Sequence, residues 1–181
     1  MWISELTFYG VFEIDELYHF INERPRTETR ENVYVIPLMS RTPRQIVSFA
    51  VDNSNSAKVI QSVVDNAPDA CQYNTDGYHS YMDAVFPGYH KRNATDKNDT
   101  HNIESVNADL RHYIPGLRRR SRCFYRSLET LRAVLSIFVN AYNKFGEAKY
   151  KYRERLIENH GFVVKYWESY KHPPFSIYDY L

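Results

Sequence analysis

Residues 7–21 (TFYGVFEIDELYHFI) are dense in β-branched and aromatic side chains, and residues 33–39 (VYVIPLM) and 45–51 (QIVSFAV) repeat that character. Each run reads as a strand. The polar stretch 22–32 (NERPRTETREN) separates the first two and SRTPR separates the last two. Short connections of this kind predict an antiparallel meander. Pro37 has no N–H to give to a ladder, so the second strand is expected at an edge or with a bulge.

The period then changes. Asp52, Asn53 and Ser54 offer N-cap side chains, and Ala57, Ile60, Val63 and Val64 recur at helical spacing. Residues 70–75 (ACQYNT) form a short strand that Asp76-Gly77 ends. Tyr78 to Val85 reads as a short helix, Gly88 to Lys91 as a weak strand, 92–100 as a loop, and 101–114 as a helix halted by Pro115-Gly116. Leu128, Leu131, Leu135, Phe138 and Tyr142 make one apolar stripe, predicting a core helix over 124–146 with Gly146 as its stop. A short helix near 149–159 and an extended aromatic tail are expected after it. The fold class is therefore α/β: a mixed sheet, three antiparallel strands followed by alternating strands and helices, with helices on both faces. One domain is expected over 1–147, and a C-terminal extension over 148–181.

Composition narrows this picture only a little. With 43% hydrophobic and 25% charged residues, 181 residues can bury a core without disulfide staples. The two cysteines, Cys71 and Cys123, lie far apart, which excludes a cysteine-rich zinc finger and suits a reducing compartment. The start MWISELTFYG lacks a basic segment followed by an apolar one, and the most apolar stretch, near Ala133–Val139, is too short to span a bilayer. The expected location is cytoplasmic, with no membrane partner. The 16 tyrosines suit wet interfaces, including those with nucleic acid, although compositional drift is the plainer account of them.

Charge matters locally. Asp15 follows an apolar run, Asp76 ends another before a glycine, and Glu104 sits in the first turn of a helical pattern. Taken singly, Asp15 shares a solvated face with Glu13 and Glu16, Asp76-Gly77 is an ordinary turn, and Glu104 is a surface residue. Brought together from separate elements, the three carboxylates make a hard-oxygen site for Mg²⁺ or Mn²⁺. The carboxyl end of a strand, where Asp76 stands, is where open α/β sheets bind ligands. Arg111 lies two helical turns beyond Glu104 and so on the same helix face. The segment RHYIPGLRRRSRCFYR carries Arg111, Arg118, Arg119, Arg120, Arg122 and Arg126, no acidic residue, and interleaved His112, Tyr113, Phe124 and Tyr125. Arginine forks grip phosphates and aromatic rings stack on bases, so this is a footprint for a polyanion.

The pieces FEIDELYHFI, SRTPRQIVSFAVDNSN, NTDGYHSY, THNIESVNADLRHYIPGLRRRSRCFYRSLETL and NAYNKFG occur in one order over most of residues 12–146. In that order the chain resembles the DDE transposases of bacterial insertion sequences, specifically the insertion-sequence-one type. The resemblance implies a ribonuclease H-like fold, with Asp15, Asp76 and Glu104 as the catalytic and metal-binding triad and Arg111 at the family's Lys/Arg position. It implies two Mg²⁺ or Mn²⁺ per site, DNA ends and target as substrates, a homodimer in the DNA complex, and a nucleoid-associated location. Family members carry an upstream zinc-binding and helix-turn-helix region, and this chain starts almost at the first catalytic strand. A separate N-terminal recognition polypeptide is one expected partner. The alternative is a truncated, catalytically inactive DNA-binding remnant. A tyrosine recombinase is set aside, because His112 is followed three residues later by Pro115 rather than by arginine.

Overall fold

The computed structural model describes residues 9–21, 31–93, 99–118, 125–153, 156–159 and 162–165, with side chains described from residue 10 to 145 within those ranges. The strands are β1 (Tyr9–Ile14), β2 (Leu17–Ile21), β3 (Glu31–Ser40), β4 (Gln45–Asp52), β5 (Ala70–Thr75) and β6 (Tyr89–Arg92). The helices are α1 (Ala57–Asp65), α2 (His101–Tyr113) and α3 (Leu128–Arg153). A separate antiparallel pair, β7 (Leu156–Asn159) and β8 (Phe162–Lys165), follows α3.

β3 is the pivot of a mixed six-stranded sheet. It pairs antiparallel with β4 on one side and with β1 and β2, laid end to end, on the other. β5 runs parallel to β1, and β6 parallel to β5. The meander read from the sequence is present, but its first strand is divided. Ile14 faces Leu38 and Leu17 faces Val35, so β1 and β2 keep one register along β3. The gap between them, Asp15 and Glu16, falls opposite Pro37 and Ile36. Proline has no N–H for the ladder, and the strand opens beside it. Pro37 therefore marks no edge, since β3 has neighbours on both sides. The expected bulge is found next to it, between Leu38 and Met39 in the pairing with β4.

Period-2 alternation splits the apolar side chains into two cores. Phe12, Ile14, Ile36 and Leu38 pack with Ile60, Val63 and Val64 of α1 and with Tyr73 and Tyr81 on one face. Leu17, Ile21, Val33, Val35 and Met39 pack with Ile103, Val106 and Leu110 of α2 and with Leu131, Leu135 and Phe138 of α3 on the other. Helices thus cover both faces. Each fully buried Ile, Leu or Phe contributes roughly 1.5–3 kcal/mol. α3 also closes the β4 edge: Asn143 accepts from Ile46 N and donates to Ile46 O, both at 2.8 Å, and Arg132 donates twice to Val51 O. Side chains thereby satisfy edge-strand groups that would otherwise recruit another strand.

Four local expectations are corrected. Tyr78–Val85 is not an α-helix but a 3₁₀ turn at His79–Met82. Asp52 and Ser54 do not cap α1; Asp52 Oδ1 accepts from Ser54 N and Ser54 Oγ from Ser56 N, which shapes the turn ahead of the helix. Gly146 does not stop α3, which runs on to Arg153, across the expected boundary at 147/148. One glycine costs a helix only about 1 kcal/mol, too little to end one whose turns from Leu128 to Phe145 pack against the core. Where a helix was expected near 149–159, α3 ends and β7 begins.

Gly88, just before β6, lies against the start of β5. A Cβ there would stand 2.1 Å from Ala70 O and 2.8 Å from Cys71 C, and backbone cannot yield as a side chain can. Gly88→Ala is expected to cost about 3 kcal/mol or more in urea denaturation by displacing β6.

Candidate metal centre

The site begins with a buried carboxylate. Glu13 in β1 is fully buried on the sheet face that α2 covers. Its Oε2 accepts from Asn102 N at 3.0 Å and Ile103 N at 2.9 Å, and its Oε1 from Asn102 Nδ2 at 2.8 Å and from Arg41 Nε. Thr100, the N-cap residue, makes no side-chain cap bond, so Glu13 caps the helix from the neighbouring strand. Arg41 also donates to Asp99 O at 2.7 Å, and Lys91 in β6 pairs with Asp99 Oδ2 at 2.6 Å. The start of α2 is thereby tied to the carboxyl ends of β1 and β6. The sequence reading placed Glu13 on a solvated face; its burial corrects that.

β1 and β5 run parallel with Glu13 beside Asn74, so two residues further on Asp15 and Asp76 leave the ends of adjacent strands together. One carboxylate oxygen from each of Asp15, Glu16 and Asp76 lies within 4.8 Å of the others. Two of the three carboxylates chosen from the sequence therefore converge. The third member of this cluster is Glu16, not Glu104. Glu104 is exposed in the first turn of α2, outside the cluster but near enough for its charge to act on Asp15.

Local bonds hold the cluster. Asn107 of α2 donates to Asp15 Oδ2 at 2.9 Å, and Tyr78 N donates to Asp76 Oδ1 at 2.8 Å. Burial pushes the Asp15 carboxyl up to about 6; the charges of Asp76 and Glu104 add to this, against hydrogen bonds from the Glu16 N–H and Asn107. Burial pushes Glu16 up to about 7, against the Tyr81 hydroxyl that faces it and with the charges of Asp15 and Asp76 adding. Among the described residues, the ion pairs of Arg41 and Lys91 go to Glu13 and Asp99 and none reaches the cluster.

This donor set fits a hard divalent cation. It is all carboxylate oxygen, short of positive charge, and bordered by buried polar atoms with no partner: Glu16 Oε1, Tyr81 Oη and Asn107 Oδ1. Sequence reasoning missed Glu16, Tyr81 and Asn107. Two of them left a usable signal: Asn107, three residues beyond Glu104 on the same helix face, and Glu16, on the strand side of Phe12 and Ile14.

Three of the six arginines read as a phosphate-binding segment lie among the described residues. Arg111 is half-buried on α2, the same continuous helix as Glu104. Arg118 is exposed and donates to His112 O at 2.8 Å, which satisfies a carbonyl in the last turn of α2. Arg126 is exposed ahead of α3. Arg119, Arg120 and Arg122 lie outside the described residues. Among the described residues no helix is long and apolar enough to cross a membrane. No family model matches the chain, and no curated protein matches it.

Proposed function

We propose that the chain is a metal-dependent DNA-cleaving and strand-transferring enzyme on a ribonuclease H-like fold, in the manner of the insertion-sequence transposases its motifs resemble. One observation carries the reading: Asp15 and Asp76 converge at the carboxyl ends of adjacent parallel strands, beside the helix that bears Glu104. The sheet is consistent with such a fold, with β4, β3 and β1 antiparallel and β5 and β6 added in parallel beyond β1.

Asp15, Asp76 and Glu104, with Glu16 as a further donor, would hold two Mg²⁺ or Mn²⁺. When bound, such ions supply Lewis-acid charge at a phosphodiester and lower the pKa of water. The chain's own residues orient the donors. Asn107 aims Asp15, the Tyr78 N–H fixes Asp76, and Glu13 anchors the helix that carries Glu104 and Asn107. Arg111, Arg118 and Arg126 would meet the DNA backbone, with Arg119, Arg120 and Arg122 in the same segment. The convergence of carboxylates favours a catalytic chain over an inactive DNA-binding remnant.

The test is conversion of supercoiled plasmid to nicked circles in Mg²⁺, stopped by EDTA. Nicking that persists in EDTA, or no nicking in Mg²⁺ or Mn²⁺, contradicts the proposal. Arg118→Ala and Arg126→Ala are each expected to weaken binding to all DNA sequences alike. Each should also reduce the slope of log affinity against log salt by about 1.

A further inference from the structure

Tyr81 sits in the 3₁₀ turn that follows Asp76, with its ring fully buried in the core shared by α1, Phe12 and Tyr73. Its ring stands edge-on to Tyr78 at 6.3 Å. The hydroxyl is turned toward the carboxylates: Glu16, Asp15 and Asp76 all act on it electrostatically. Tyr81 Oη and Glu16 face each other closely enough for the hydroxyl to act on the carboxylate, yet neither Tyr81 Oη nor Glu16 Oε1 has a partner in full hydrogen-bond geometry. A buried hydroxyl left unpaired costs roughly 1–3 kcal/mol, so packing of the ring does not explain why this residue is Tyr and not Phe.

We propose that Tyr81 is a positioning residue for Glu16: its hydroxyl donates to Glu16 when the carboxylate turns to hold a divalent ion, leaving the other carboxylate oxygen free for the metal. The inference rests on the metal-centre reading above. It adds that Glu16 is a working ligand with its own orienting partner, as second-layer hydroxyls and amides orient metal-binding carboxylates elsewhere. The unpaired hydroxyl is then matched to the metal-loaded state.

Tyr81→Phe removes the hydroxyl and keeps the ring. In metal-free protein the melting temperature should be unchanged or higher, because an unpaired buried group is gone. Affinity for Mg²⁺, measured by titration calorimetry without DNA, should fall about 10-fold or more. In a Glu16→Gln background the same change should have no further effect on Mg²⁺ affinity, as a double-mutant cycle requires of an acting pair. A lower melting temperature of the metal-free variant gives the hydroxyl a structural partner and overturns the proposal. So does unchanged Mg²⁺ affinity in the variant when wild type binds Mg²⁺. If wild type itself binds no Mg²⁺, the metal-centre reading fails first.

Discussion

Asp76→Ala is expected to abolish Mg²⁺-dependent plasmid nicking, a loss on the order of 10³-fold, while leaving affinity for DNA within about twofold of wild type. Metal ions supply several kcal/mol of charge stabilisation to phosphoryl transfer, and each 1.4 kcal/mol is tenfold in rate. DNA affinity should survive because the arginines that would meet the backbone belong to α2 and the segment after it in sequence, not to the turn that carries Asp76. Stability should change little, because the hydrogen bond from Tyr78 N is lost while charge repulsion is relieved. Asp76 raises the cost of ionising both Asp15 and Glu16, so its removal relieves repulsion in metal-free protein. A variant as stable as wild type but inactive marks a functional carboxylate. Asp83→Ala, which changes an exposed acid a few residues on, is the control and should leave nicking intact. Retained nicking in Asp76→Ala would sink the assignment.

Glu13→Gln is expected to cost about 3 kcal/mol in urea denaturation, the largest stability effect of any change at the site. The carboxylate accepts from two backbone N–H groups of α2, from the Asn102 amide and from Arg41. The amide keeps the volume but turns half of its polar atoms into donors facing donors. Arg41 is 28% exposed, so solvent offsets part of its loss and keeps the figure below that for a fully buried pair. Activity should fall as well, because α2 carries Glu104 and Asn107. A loss under about 1 kcal/mol would show that the helix start is held by other means.

The fold was readable because hydrophobic period follows burial. β3, β4, β5 and α2 all appear within a residue or two of where the pattern puts them, and α1 begins at Ala57, past the caps expected for it at 52–54. The site was readable by half. Asp76 stands at a strand end, which local sequence reveals; Asp15 was read inside one strand over 7–21, and the break after Ile14 shows only in the pairing with β3. Glu16 was passed over because it was read with Glu13 and Asp15 as one solvated face, whereas alternation along the strand sets it on the side of Phe12 and Ile14. What the sequence leaves out is the partner on that side, Tyr81, which the fold brings there from the distant turn at His79–Met82. Glu13 was misread for a related reason: the polar face of β1 is covered by the start of α2, and nothing within a few residues of Glu13 announces a helix from residue 101. Glu104 was placed on the right helix, while its distance from the cluster depends on how α2 docks.

The central claim is that Asp15, Glu16 and Asp76 bind a divalent ion. Asp15 is held up to about 6 and Glu16 up to about 7, above their values in an unfolded chain. Between about pH 4 and 7 the native state therefore keeps protons that the unfolded state has lost. Metal-free stability from these groups is full at low pH and declines as pH rises through that window. A metal needs the carboxylates ionised, so binding must release protons and strengthen with pH. Titration calorimetry of Mg²⁺ or Mn²⁺ into the intact chain at pH 5.5 and pH 8 tests this directly. The account predicts binding at pH 8, at least about 10-fold weaker binding at pH 5.5, and loss of both in Asp76→Ala. No binding at pH 8, or binding that Asp76→Ala leaves intact, would contradict it.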